Sequence, residues 1–186
     1  MLNGLQLSFH TLPTLAFSPP PGVQTSLAQT KIWLPFIPDW LEKGIVREMK
    51  EPALLFFSRP FSVPKKTGSR RPVLDLSVLN KMLCIPKFRM ETLDRIVKSI
   101  VRGLWGTSLD ILNAFLNVPI APVFHKYFAF ALGKRIFVFQ VLPFGLSTAP
   151  WAFSRVIKPI KAHLRRIGVL AFAFLDDCLF LAPTHN

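Results

Sequence analysis

Acidic residues are scarce in this chain: ten Asp and Glu stand against 23 Lys and Arg, for a formal charge of +13. That imbalance disfavours a basic partner and points to a polyanionic one, of which nucleic acid is the commonest. Cysteine is nearly absent. Cys84 and Cys178, the only two, are too few and too far apart for a disulfide framework or a zinc site. They are expected to be reduced core thiols of an intracellular protein, in cytoplasm or nucleus. No basic-then-apolar stretch opens the chain as a signal peptide would. A membrane-spanning run is also missing. Segment 136–154 carries no charge but is broken by Pro143 and Pro150, and 167–175 is too short to cross a bilayer. A membrane partner is therefore not expected.

Residues 1–30 contain no Lys, Arg, Asp or Glu, and they hold Pro13 and the run Pro19–Pro21. Without a sustained period, residues 1–32 read as an irregular or disordered leader outside the fold. The domain is expected over 33–186. One amphipathic helical piece follows in Trp33–Met49, starting near Pro38 and Asp39 and ending at Gly44. Residues 54–64 read as a strand, Lys65–Arg71 as a basic turn and Pro72–Leu76 as the returning strand, so a hairpin is expected with cations at its tip. A helix is predicted over 89–100 and a strand around Thr107–Leu112, with Asn113-Ala114-Phe115 as a turn or short helix. Strands Tyr127–Leu132 and Arg135–Leu142 meet at Gly133-Lys134. A basic helix over 150–167 closes the series, capped by Thr148 and bent at Pro159. Neither a repeat nor a low-complexity tract beyond the leader is evident.

The placement of the acids says more than their number. From Arg95 to Asn186 there are three, Asp110, Asp176 and Asp177, against eleven Lys and Arg. Each lies in an apolar segment, whereas the earlier acids, Glu91 among them, look scattered for solubility. Asp176 and Asp177 interrupt the run Val169–Leu181. Successive strand residues face opposite sides, so the pair is expected at the tip of a tight hairpin. Neighbouring carboxylates repel, and a hard divalent cation with oxygen ligands relieves that repulsion. Two such ions about 3.5–4 Å apart can clamp both sides of a phosphoryl displacement. The three carboxylates are therefore expected within roughly one such metal cluster, at most about 10 Å across.

The motifs fall in a particular order: Val63-Pro64-Lys65-Lys66, Arg71-Pro72-Val73-Leu74-Asp75-Leu76 and Leu79-Asn80-Lys81, then Ser108-Leu109-Asp110 with Ala114-Phe115, then Leu142–Pro150, and last Phe174-Leu175-Asp176-Asp177. Over residues 33–182 this series resembles the fingers and palm of reverse transcriptases from retroelements, most closely the branch shared by gypsy-type and DIRS-type elements. The resemblance implies an α+β fold of the right-hand polymerase type, with an antiparallel palm sheet and packed helices. Fingers would fall at about 33–103 and palm at about 104–186, the thumb being missing. Any thumb or ribonuclease H would come from a longer parent polyprotein.

The same resemblance implies an RNA-directed DNA polymerase. Asp110, Asp176, Asp177 and the backbone carbonyl of Ile111 would hold two Mg²⁺ ions, or Mn²⁺ in their place. Lys65 and Arg71 would grip the triphosphate of a deoxynucleotide, with the amides of Asn113 and Ala114 below it. Phe115 would exclude a 2′-hydroxyl, and Phe144 and Gly145 would lie against the nucleotide and a template-primer duplex of RNA or DNA. Two departures stand out: Asn113 where many relatives have Asp, and Phe174 where Tyr is usual. The alternative is a retroelement-derived protein that binds nucleic acid without catalysis. A basic peripheral membrane protein is the third reading, disfavoured because Pro159 interrupts the one long basic helix.

Overall fold

The computed structural model describes residues 4–64 and 68–183. It is α+β, with helices α1 (Leu27–Trp33), α2 (Ile37–Glu42), α3 (Ser77–Asn80), α4 (Leu93–Ser99) and α5 (Ala149–Arg166). The strands are β1 (Val46–Met49), β2 (Arg59–Pro64), β3 (Arg70–Asp75), β4 (Trp105–Asp110), β5 (Ala129–Leu132), β6 (Arg135–Phe139), β7 (Leu170–Phe174) and β8 (Asp177–Ala182). The chain divides into two compact units, Met1–Ile85 with Phe115–Ala149, and Pro86–Ala114 with Pro150–Asn186. Both are interleaved in sequence, so a single cut near residue 103 does not separate them.

The first unit is built on an antiparallel sheet in the order β1-β6-β5. β5 and β6 form the expected hairpin around Gly133-Lys134, closed by Leu132 opposite Arg135. Gly133 takes φ +62°, which the two-residue turn demands and a side chain would resist. Every residue of β5 is buried, because aromatic side chains cover it. Trp33 is fully buried, its ring 4.9 Å from Phe130 and 5.7 Å from Trp40. The indole N–H of Trp33 donates to the Phe61 carbonyl at 2.9 Å, so the ring is buried without stranding its one polar atom. β2 and β3 pair as the second expected hairpin, Arg59 opposite Asp75 through Pro64 opposite Arg70.

Residues 4–32 are not outside the fold, contrary to the sequence reading. Leu5 and Leu7 are buried. The Leu5 N–H donates to Pro119 O at 2.8 Å, and the Leu5 carbonyl accepts from Ala121 N–H at 2.9 Å. Ala16 and Leu55 exchange two bonds of 2.8 and 2.9 Å. A segment rich in apolar side chains, with no charge before Lys31, gains by burial. Its backbone then finds partners at loop edges, which leave no periodic trace in the sequence.

The second unit holds a three-stranded antiparallel sheet in the order β4-β8-β7, together with α4 and α5. The helix predicted over 89–100 is shorter, Leu93–Ser99. Pro159 lies inside the single continuous helix Ala149–Arg166. Thr148 does not cap that helix: its hydroxyl is buried and has no hydrogen-bond partner among the described residues.

Candidate active site

Three elements of the second unit present the carboxylates singled out above. β4 ends at Asp110, and its antiparallel register with β8 sets Asp110 directly opposite Asp177. Directly opposed residues share a sheet face with Cβ atoms about 4.5–5.5 Å apart, so both carboxylates face one space. The turn between β7 and β8 is made by Leu175 and Asp176, since Phe174 already pairs with Asp177. The expected Asp-Asp tip is thereby corrected by one residue: Asp177 belongs to the strand and only Asp176 to the turn.

Leu175 takes φ +56°, a left-handed conformation that a non-glycine residue adopts at a cost of about 1–3 kcal/mol. A backbone bond from Ile111 N–H to Asp176 O, 2.9 Å long, fastens the end of β4 to this turn. Among the described residues, no three His, Cys, Asp or Glu side chains group as a metal site.

The paired rows give the site its surroundings. Phe174, Asp177 and Asp110 form one row across the sheet, and Phe172, Leu179 and Ser108 the next. With Ile96 they line a cleft of about 240 Å³. Cys178 is buried beneath. Burial pushes its thiol pKa up, the nearby Asp177, Asp176 and Glu91 charges add to that, and Lys161 opposes it. The thiol therefore stays protonated and unreactive, a core residue as its apolar neighbours suggest.

Asn113 follows at φ +52°, a conformation in which Asn is several-fold enriched. Ala114 N–H closes the turn onto the Ile111 carbonyl at 3.2 Å. That carbonyl, expected as a metal ligand, therefore already accepts one bond and keeps a second lone pair.

Other expected residues lie in the first unit, and three of them stack in series. The Arg71 guanidinium sits 4.9 Å over the Phe144 ring. Phe144 meets Phe115 edge-on, with centroids 5.9 Å apart at 63°. Gly145 follows at φ +102°, and a Cβ there would come within 2.8 Å of the Leu74 carbonyl, so no other residue fits.

Asn80 supplies what the sequence reading did not assign. Its amide donates to Gly145 O at 2.8 Å, and its oxygen accepts from Ser147 N–H at 2.9 Å. One side chain thus clamps the loop that carries Phe144. The signal was the Leu79-Asn80-Lys81 motif, which pattern alone gives no role. Lys65 lies outside the described residues.

Opposed, exposed carboxylates beside a hairpin turn present hard oxygen donors of the kind that divalent cations take. The chain belongs to the reverse transcriptase (RNA-dependent DNA polymerase) family, which matches residues 63–186. These are nucleotidyltransferases that work with divalent metal ions. It is 26% identical over 177 residues to the Transposon Tf2-3 polyprotein of Schizosaccharomyces pombe, spanning 95% of this chain and 12% of that one. It is also 27% identical over 124 residues to Protein P of Heron hepatitis B virus, 64% of this chain and 16% of that one. The solved foamy viral protease-reverse transcriptase, in complex with double-stranded DNA, shares the fold with a TM-score of 0.73. That likeness has 22% identity and covers 96% of this chain and 32% of that one. The chain thus spans about an eighth of the length of the transposon relative.

The opposed pair fits a divalent cation in donor type and in facing, since both groups are hard oxygen ligands on one side of a sheet. Among the described residues, no helix is long and apolar enough to cross a membrane.

Proposed function

We propose that this chain is the polymerising part of an RNA-directed DNA polymerase, adding deoxynucleotides to a primer 3′-hydroxyl. The observation that carries the reading is the register that sets Asp110 opposite Asp177. The second unit corresponds to palm, and the hairpin of β2 and β3 to fingers. Asp110, Asp176, Asp177 and the Ile111 carbonyl would hold two Mg²⁺ ions, which would activate the 3′-hydroxyl and neutralise the leaving pyrophosphate.

The protein's own groups have separate tasks. Phe144 holds the Arg71 guanidinium by its ring face, which orients a bidentate fork toward a triphosphate without neutralising it. Lys65 would add a second positive charge. The amides of Asn113 and Ala114 would meet the triphosphate from below, that of Ala114 by giving up its bond to the Ile111 carbonyl. Phe115, braced edge-on by Phe144, excludes a 2′-hydroxyl and so selects deoxynucleotides. Asn80 and Gly145 keep the supporting loop in place. The partner is a template-primer duplex, in line with the basic charge of the chain.

Primer extension on an RNA template with Mg²⁺ and deoxynucleotides tests this, comparing the natural chain with D110N and with the D176N/D177N double variant. Incorporation by the natural chain that falls to background in both variants, with folding and RNA binding kept, is the expected result. Equal incorporation in all three would overturn the reading.

A second reading is favoured by the absence of a three-carboxylate group among the described residues. It holds the chain to be a nucleic-acid binder without catalysis. Salt-sensitive RNA binding with no incorporation by the natural chain would select it.

A further inference from the structure

Glu91 looks from sequence like one of the scattered acids. In the fold it is nothing of the kind. Its side chain is only 20% exposed and meets Lys161 Nζ at 3.0 Å and Arg165 Nη2 at 3.0 Å, both on α5. Its other oxygen accepts the Ala173 N–H at 2.8 Å. Arg165 reaches the same strand, donating to the Ala171 carbonyl at 2.9 Å.

Ala171 and Ala173 lie two apart on β7, the outer strand of its sheet, with β8 on the other side. Their outward backbone groups would otherwise have only water to bond. Glu91 and Arg165, held together as an ion pair, occupy the edge as two rungs of a missing neighbour strand would. Burial raises the Glu91 pKa, but the Ala173 N–H, Lys161 and Arg165 outweigh it and leave the carboxyl more acidic than usual. A charge-assisted bond of this kind is about twice as strong as a neutral one. It grips β7 one residue before Phe174, which closes the turn holding Leu175 and Asp176.

We propose that Glu91 is a positioning residue for the candidate active site. It locks the outer edge of β7, and through it keeps the strained turn and Asp177 in register with Asp110. The link to metal binding rests on the function proposed above, whereas the lock on β7 stands apart from it. Glu91 touches neither substrate nor any of the three aspartates. Its action runs through the Ala173 amide.

Hydrogen exchange resolved along the full chain, paired with Mn²⁺ titration of the same samples, tests this. E91A removes both the acceptor and the charge; E91Q keeps an acceptor for the Ala173 N–H. In E91A, amides of residues 170–177 are expected to exchange about tenfold faster or more, while those of β5 and β6 are unchanged. Mn²⁺ affinity is expected to fall by about tenfold in E91A and by less in E91Q, because the edge bond survives there.

Unaltered exchange over 170–177 in both variants would overturn the proposal. So would faster exchange with Mn²⁺ affinity retained, since Glu91 would then be merely structural. Should E91A fail to fold, E91Q decides by the same two readouts. If the natural chain binds no Mn²⁺, the function proposed above fails and the exchange comparison alone judges the lock.

Discussion

The two units are unlike in how they use apolar surface. In the first, Trp33, Phe128, Phe130, Phe137 and Phe139 are all buried, and the rings of Trp33, Phe137 and Phe139 meet that of Phe130 on β5. In the second, all six residues of β4 are exposed, Trp105 and Leu109 among them, and Val97, Ile100, Ile160, Ile167 and Phe174 are exposed as well. Its buried set is small, mainly Phe153, Ile157, Phe172, Cys178, Leu181 and a few alanines. Stability is thus concentrated in one unit, and the candidate catalytic carboxylates sit in the other. Elements that must admit a ligand come from the less stable end of a protein, and the strained Leu175 and the long exposed edge of β4 fit that pattern.

Three measurements sharpen or break this contrast. Trp33→Ala removes a fully buried ring and its bond to Phe61, and should cost about 3–5 kcal/mol in chemical denaturation. A loss below about 1 kcal/mol would show that the first unit is not the stable one.

Acid comes next. Glu91 is more acidic in the fold than its ordinary 4.5, so its contribution to the second unit is fully present above that value and is lost as pH falls through the lower folded value. The charged groups that face it are Lys161 and Arg165 on α5, with Arg89 and Lys158 lining a cleft beside Glu91. Exchange over 170–177 should therefore accelerate below about pH 4.5, after correction for intrinsic rates, and E91Q should remove that dependence. A dependence that survives in E91Q would assign it to another group.

The smallest effect is expected at Leu109, which is 54% exposed on β4. Leu109→Ser should change stability by no more than about 0.5 kcal/mol. A larger loss would mean that the face of β4 is covered in solution.

Much of this was legible in the chain. Period-two runs and turn residues marked the hairpins of β2 with β3, β5 with β6, and β7 with β8, because those pairings are local and their turns are short. Asp110 and the Asp176-Asp177 pair stood out because they break apolar segments in a nearly acid-free half. Three things were hidden. The pairing of Leu5 with the 119–121 loop is long-range and leaves no period. The value of Glu91 depends on what α5 and β7 bring to it, and one glutamate among scattered acids carries no such mark. The one-residue shift of the turn follows from the register of β7 on β8, which pairs Phe174 with Asp177 and which composition cannot set.

The Ile111-to-Asp176 bond also says when the site comes into being. β7 and β8 are neighbours in the chain, and a hairpin of that kind closes in about 1–10 μs. β4 can join β8 only after everything from Ile111 to Asp176 has been made and looped back, and such non-local pairing is slow. For that interval Asp177 stands on a formed hairpin with no carboxylate opposite it. The pair is thus a late product of folding, and any event that unzips β4 from β8 erases it while leaving the hairpin whole.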